Sequence, residues 1–174
     1  MIVLRAFLVI VLAVLSMPAW AQGGQASAAT VSSAELDDVD LSRTGDPWLD
    51  VWVDDLDRYA GRYRHAFVDE LVRYQGAPRA LAEALLADPA WQASDVYIAC
   101  ATAQAMGRTC REVAGEWRRD RAGGWSAVIE RIDADRREDA LRRVKRGLVE
   151  SYDRWGRPIR LDAALRRMLP DRDD

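Results

Sequence analysis

The sequence is poor in the residue types on which most metal and redox sites depend. It contains one histidine, His65, and two cysteines, Cys100 and Cys110, in 174 residues. A single histidine excludes the multi-histidine zinc and copper sites found in exported proteins, and we expect His65 to be structural. There is no C-x-x-C pair, so a thioredoxin-like redox role is not expected. We therefore expect no cofactor, no metal and no catalytic constellation.

Long apolar runs are also lacking, except at the N-terminus. Arg5 precedes the apolar residues 6–17, and an Ala-Trp-Ala cleavage pattern ends at Ala21. This order is typical of a secretory signal peptide, and the run is short for a membrane-spanning helix. We expect residues 1–21 to be cleaved and the mature chain to be periplasmic or secreted, without an integral membrane segment.

The segment after the signal peptide has few residues that can build a core. Residues 22–46 lack aromatic side chains and consist of small polar residues followed by acidic ones. This composition predicts a disordered linker, and residues 171–174 are also expected to be disordered. Residues 47–170 are expected to form one helical domain, because their number suits a single core.

Charge is unevenly distributed, although the net charge is only −3. Acidic residues dominate from Glu35 to Asp57, and basic residues outnumber them from Arg108 to Arg167. One interpretation is an anionic partner for the basic half. The other is that the two halves neutralise one another within one fold. A nucleic-acid partner is not expected for an exported chain.

Apolar residues recur at spacings of three and four, without the alternation of strands. The predicted fold is therefore all-α, a compact bundle of about five to seven helices. Asp46 as N-cap and Pro47 at the first helical position predict the first helix start. The aromatic stripe that follows predicts a helix over 48–74, kinked or divided at Gly61.

An alanine-rich segment is expected to be the central, buried helix. Ser94 or Asp95 is expected to cap it, Gly107 ends it, and its small side chains let neighbouring helices approach closely. Thr109 is expected to cap the next helix, with Glu112 completing a capping box.

The two cysteines have two interpretations. Cys100 lies late in one predicted helix and Cys110 at the first turn of the next. In an oxidising compartment this pair favours a disulfide across the Gly107 turn. The alternative is two small buried thiols.

Partner binding is expected to involve aromatic and basic side chains. Trp48 and Trp52 adjoin the predicted linker, and Arg136 and Arg143 lie on a long basic helix predicted from about residue 135 to 155. Exposed aromatic and arginine side chains are frequent anchors in interfaces. The alternative for the tryptophans is a place in the core.

The middle of the chain, about residues 67–132, resembles a family of small exported bacterial helical proteins without assigned activity. The segments that carry the resemblance are 67–71 (FVDEL), 76–78 (GAP), 95–101 (DVYIACA) and 124–129 (GWSAVI). In such proteins an alanine-rich helix precedes a Gly-Trp-Gly-x-Ile segment, whose second glycine is Ser126 here. The resemblance implies an all-helical fold and supplies no active-site residues.

These features predict an exported, non-catalytic helical protein that binds another envelope component, either a protein or the envelope surface. One alternative is an envelope hydrolase acting on peptidoglycan through Asp50, Asp54 and Asp57, because paired carboxylates hydrolyse glycosides. A second alternative is a periplasmic holdase whose working surface is the basic amphipathic helix.

Overall fold

A computed structural model describes residues 43–172 of the chain. The predicted signal peptide, most of the predicted linker and residues 173–174 lie outside the described residues. Every regular element of the described part is helical, which confirms the all-α prediction. The helices are α1 (Pro47–Arg62), α2 (Arg64–Tyr74), α3 (Arg79–Ala87), α4 (Ala93–Met106), α5 (Cys110–Arg119), α6 (Gly124–Asp133), a 3₁₀ turn (Ala134–Arg136), α7 (Arg137–Arg154) and α8 (Ala163–Met168).

Helix α4 is the centre of the bundle, as its alanine content predicts. Only Ala93 and Gln104 of its residues are not buried. Helices α1, α3, α5 and α7 all pack against it. A helix that is apolar and small on all sides has no face left for solvent, so the other helices enclose it.

The helix predicted over 48–74 is two helices, and the break is not at Gly61. Gly61 remains within α1, whereas Tyr63 leaves the helical region with φ −126° and ψ 48°. Helix α2 then buries Phe67 and Leu71. Tyr63 and Tyr74 are 50% and 44% exposed.

The predicted helix caps are confirmed at two places and wrong at one. Asp46 caps α1, where its Oδ1 accepts from the N–H groups of the second and third residues of the helix. Thr109 and Glu112 form the predicted capping box of α5. Helix α4, in contrast, begins after Gln92, and Asp95 is at its third position. Asp95 Oδ2 accepts from the Gln92 N–H at 3.4 Å and completes a capping box there, while Oδ1 accepts from the indole N–H of the buried Trp125 on α6 at 3.0 Å.

The chain is packed before α1 begins, at residues 43–46, which were predicted to be the end of a disordered linker. Thr44 is fully buried, and its N–H and hydroxyl both donate to Asp50 Oδ1 at 2.9 Å. The carbonyl oxygen of Arg43 accepts a hydrogen bond from the backbone N–H of Trp125 at 3.0 Å. Gly45 has φ +78°, and a Cβ there would lie 2.1 Å from the Cβ of the neighbouring Ser126, so only glycine fits.

The two cysteines are at disulfide distance, as the first of their two interpretations predicts. Their Sγ atoms are 2.03 Å apart and their Cα atoms 4.3 Å apart. The pair connects the last turns of α4 to the first turn of α5. Gly107, with φ 68°, allows the tight reversal between these helices, because glycine adopts left-handed backbone conformations without steric cost.

Lys145, the only lysine of the chain, connects the starts of two helices. Its Nζ lies 2.9 Å from Asp46 Oδ2 and 2.5 Å from Asp162 Oδ2, and these aspartates cap α1 and α8. Burial by itself lowers the pKa of Lys145, but the carboxylates of Asp162 and Asp46 outweigh it and raise the pKa. Burial likewise raises the pKa of Asp162, but hydrogen bonds from Lys145 and the Leu165 N–H lower it below its usual value.

We predict that Cys100 and Cys110 form a disulfide under oxidising conditions and that this bond stabilises the protein. Replacing Cys100 and Cys110 together by alanine is expected to lower the free energy of unfolding by about 2.5 kcal/mol, as expected for closure of a short loop. Urea unfolding of both proteins measures this loss. Mass spectrometry after alkylation, with and without reductant, tests the bond itself; alkylation of both thiols without reductant would contradict it.

We predict that Lys145→Met lowers the free energy of unfolding by about 2 kcal/mol near neutral pH, because two charge-assisted hydrogen bonds are lost. The folded-state pKa of Asp162 is lowered, so its contribution is present above the unfolded carboxyl pKa and is lost as pH falls through the folded value. The variant should therefore approach the wild type in acid.

The exposed Arg142 on the same helix is the control for Lys145. Arg142→Met should change the free energy of unfolding by about 0.5 kcal/mol or less. Denaturant unfolding of the three proteins at several pH values measures both effects. Equal losses for the two variants at neutral pH would show that Lys145 has no special role.

Candidate functional site

A cleft of about 470 Å³ lies between the end of α2, the second half of α4 and helix α7. Its walls carry more basic than acidic side chains. We call it the arginine cleft, and its charged and aromatic lining residues are Arg73, Tyr74, Arg143, Arg146, Glu150 and Arg154. The amides of Gln75 and Gln104 and the small residues Ala101, Ala105 and Gly147 complete the lining.

Helix α7 sets the length of the cleft. Arg143 at one end has its Nη1 3.5 Å from the Ala105 carbonyl oxygen. Arg154 at the other end lies over the ring of Tyr74, with its Cζ 3.8 Å from the ring centroid. These two arginines are eleven residues apart, which is about 16 Å along a helix axis. The cleft is therefore elongated.

Two of the arginines have only weak internal partners. The Nε of Arg143 lies 3.0 Å from Asp139 Oδ2, and the Nε of Arg146 lies 3.6 Å from Glu150 Oε1. Both arginine side chains are about half exposed. Surface ion pairs of this kind contribute about 0–1 kcal/mol, so an incoming anion can replace them at small cost.

Arg154 is held far more firmly, by a buried carboxylate. Glu70 is only 4% exposed. It accepts from Nε and Nη2 of Arg154 and from the hydroxyl of Ser151 at 2.7 Å. A carboxylate that accepts in this paired geometry fixes the plane of the guanidinium as well as its position.

A chain of buried hydrogen bonds continues from Glu70 beneath the cleft. Gln75 Nε2 donates to the hydroxyl oxygen of Tyr97 at 3.1 Å. The Tyr97 hydroxyl can therefore donate to Ser151 Oγ, 2.8 Å away. Burial raises the pKa of Tyr97 far above its usual value, so the phenol stays protonated and keeps this direction. The network connects α2, α4 and α7 directly under the arginines.

The predicted partner-binding residues differ in where they lie. Arg143 lines the cleft. Arg136 instead donates to the carbonyl oxygens of Met106 and Ala105, at 3.3 and 3.4 Å. These carbonyls end α4, where the helix dipole favours a cation. Arg136 thus has a structural role that its place in a basic run did not indicate.

Trp48 and Trp52 lie outside the arginine cleft, half-buried against the core. The indole N–H of Trp48 donates to the Arg160 carbonyl oxygen at 2.7 Å. The ring of Trp52 meets that of Tyr152 edge to face at 5.4 Å. These contacts favour the core interpretation of the two tryptophans.

The aspartates of the hydrolase alternative are engaged separately in the fold. Asp50 accepts hydrogen bonds from the backbone N–H and the hydroxyl of Thr44. Asp57 accepts from the N–H and hydroxyl of Ser94 at 2.7 and 3.0 Å, and Asp54 is exposed. Two of the three carboxylates thus hold neighbouring chain segments, which is a structural use.

Sequence reasoning missed most of the cleft. Arg73, Arg146 and Arg154 occur among many other arginines, and Glu70 looks like any acid on a helix surface. Only the approach of α2 to α7 brings them together. Within residues 43–172, no three histidine, cysteine or acidic side chains are grouped to hold a metal ion. In the same range, no helix is long and apolar enough to cross a bilayer.

We predict that Glu70→Gln lowers the free energy of unfolding by about 2 kcal/mol, because it weakens buried hydrogen bonds to charged groups. Glu150→Gln, an exposed acid on the same cleft, is the control and should change it by about 0.5 kcal/mol or less. Thermal and urea unfolding measure the difference. A larger effect at Glu150 than at Glu70 would contradict the positioning role of the buried carboxylate.

Comparison with known proteins finds no match to this chain. The chain matches no protein-family model, no curated protein and no solved structure. The resemblance to small exported bacterial helical proteins therefore stays a prediction, and the functional argument depends on the geometry of the cleft.

Proposed function

We propose that this chain is an exported, non-catalytic protein that binds another component of the cell envelope through the arginine cleft. The observation that carries the proposal is the convergence of Arg73, Arg143, Arg146 and Arg154 on one concave surface. Arginine pairs well with carboxylate and phosphate groups. The N-terminal sequence pattern supports an envelope location.

The support for binding comes from the different environments of the cleft arginines. Arg154 is fixed by the buried Glu70, while Arg143 and Arg146 are half exposed with weak partners. Buried ion pairs contribute little net stability after desolvation. A buried carboxylate that orients a cleft arginine therefore fits a binding surface, which requires fixed donors.

The alternatives have less support. A holdase working through α7 needs that helix's apolar stripe at the surface, but Leu141, Val144, Leu148 and Tyr152 are buried. A hydrolase needs available carboxylates, but Asp50 and Asp57 hold Thr44 and Ser94.

The test is cosedimentation of the purified protein with isolated envelope fractions. We expect binding that weakens with salt, and at least a tenfold loss of affinity for the double variant Arg143→Glu, Arg146→Glu. The control is Arg111→Glu, Arg118→Glu, which makes the same charge change at exposed positions on α5 and should bind like the wild type. Protease treatment of the envelope distinguishes a protein partner from the surface itself.

Two results would contradict the proposal. One is a lack of binding to every envelope fraction. The other is an equal loss of binding for the cleft variant and the α5 variant, because overall charge would then explain the binding without the cleft. Circular dichroism of all variants confirms that each is folded before binding is compared.

A further inference from the structure

Gly147 is an unexpected residue at its position in the fold. It lies in the middle of α7, where glycine destabilises a helix relative to alanine. Its φ is not positive, so no backbone conformation requires glycine. A Cβ there would meet Gln75 Nε2 at 3.8 Å and Tyr97 Oη at 3.9 Å, which is ordinary contact. Alanine would therefore fit.

Gly147 lines the cleft, so its lack of a side chain affects the depth of the cleft. Together with Ala101 and Ala105 it leaves the cleft floor low between the arginines. A Cβ there faces the amide of Gln75, which lines the cleft, so a large side chain at residue 147 would crowd the floor and displace that amide. The helix is thus less stable than it could be at an α7 position that lines the cleft.

The dimensions indicate an extended ligand. The cleft follows α7 for about 16 Å between Arg143 and Arg154. An extended peptide advances about 3.3 Å per residue, so about five residues span that distance. In such a peptide alternate side chains face the same way, and carboxylates on one face would lie against the arginines.

The other lining groups suit a peptide backbone. Gln104 on α4 is exposed, and its amide can both donate to and accept from peptide groups. A membrane surface is flat and would reach the rim of this recess more easily than its floor. The floor consists of small residues surrounded by charged and amide groups, so it provides no large apolar site for acyl chains.

From these observations we propose that the arginine cleft binds an acidic peptide segment in extended conformation, which passes over Gly147 and pairs its carboxylates with Arg73, Arg143 and Arg146. This inference rests on the proposed envelope-binding function and specifies its partner as an acidic polypeptide.

The test uses a fluorescently labelled twelve-residue peptide of alternating glutamate and alanine, and a second peptide with glutamine in place of glutamate. Anisotropy titrations are run at low and physiological salt. We expect the glutamate peptide to bind at least tenfold more tightly than the glutamine peptide. Inorganic pyrophosphate and vesicles containing phosphatidylglycerol serve as competitors and should displace the peptide only weakly.

The decisive variants separate binding from folding. Gly147→Leu is expected to weaken peptide binding at least tenfold, while Gly147→Ala should raise the melting temperature and reduce affinity less. Gly115 in α5 is the matched control, because no atom lies within 4 Å of a Cβ placed there. Gly115→Ala should also raise the melting temperature, and Gly115→Leu should leave affinity unchanged.

Several outcomes would overturn the inference. These are equal binding of the two peptides, full affinity in folded Gly147→Leu, and stronger binding of vesicles or pyrophosphate than of the peptide. If envelope binding still depends on Arg143 and Arg146 in that case, the proposed function stands and only the peptide is wrong. If envelope binding is also absent, both fail.

Discussion

The burial of α4 on all sides is the constraint on which the rest of the structure depends. A helix with almost no exposed residue must be enclosed, so α1, α3, α5 and α7 take their places around it. Its polar groups also need partners, because an unpaired buried polar group is costly. Asp95 accepts a hydrogen bond from the Trp125 indole N–H, and the Tyr97 hydroxyl is hydrogen-bonded to Ser151. At the end of the helix, Arg136 donates to the carbonyl oxygen of Met106. Cys100 connects the same helix to α5.

The arginine cleft is a consequence of this arrangement. It lies over the second half of α4, where α2 and α7 approach one another without closing the gap. Small residues on α4 and Gly147 on α7 keep the floor low, and the buried Glu70 keeps Arg154 at the rim. Fold and candidate site thus share the same buried network. A change in that network should affect both, whereas a change in the half-exposed Arg143 or Arg146 should affect the cleft alone.

Local signals predicted much of the fold and little of the site. Capping at Asp46 and Thr109 depends on a few adjacent residues, and both were predicted correctly. The N-cap of α4 was predicted too late: Gln92 is the N-cap, and Asp95 completes its capping box from the third helical position. The division of the 48–74 helix was predicted at Gly61 and lies two residues later, at Tyr63, because a helical spacing of apolar residues continues across both positions. Arg136 and Arg143 look equivalent on one basic helix, yet one caps α4 and the other lines the cleft.

The sequence by itself determined the helical class, the buried alanine-rich centre and most helix limits. These follow from periodicity, caps and spacing, which act over a few residues. Only the tertiary structure decided that Lys145 connects Asp46 to Asp162, that Glu70 is buried beneath Arg154, and that arginines from α2 and α7 share one cleft. The physical reason is distance along the chain. The paired groups are tens of residues apart, and no local pattern indicates which of many similar charges will meet once α4 is enclosed.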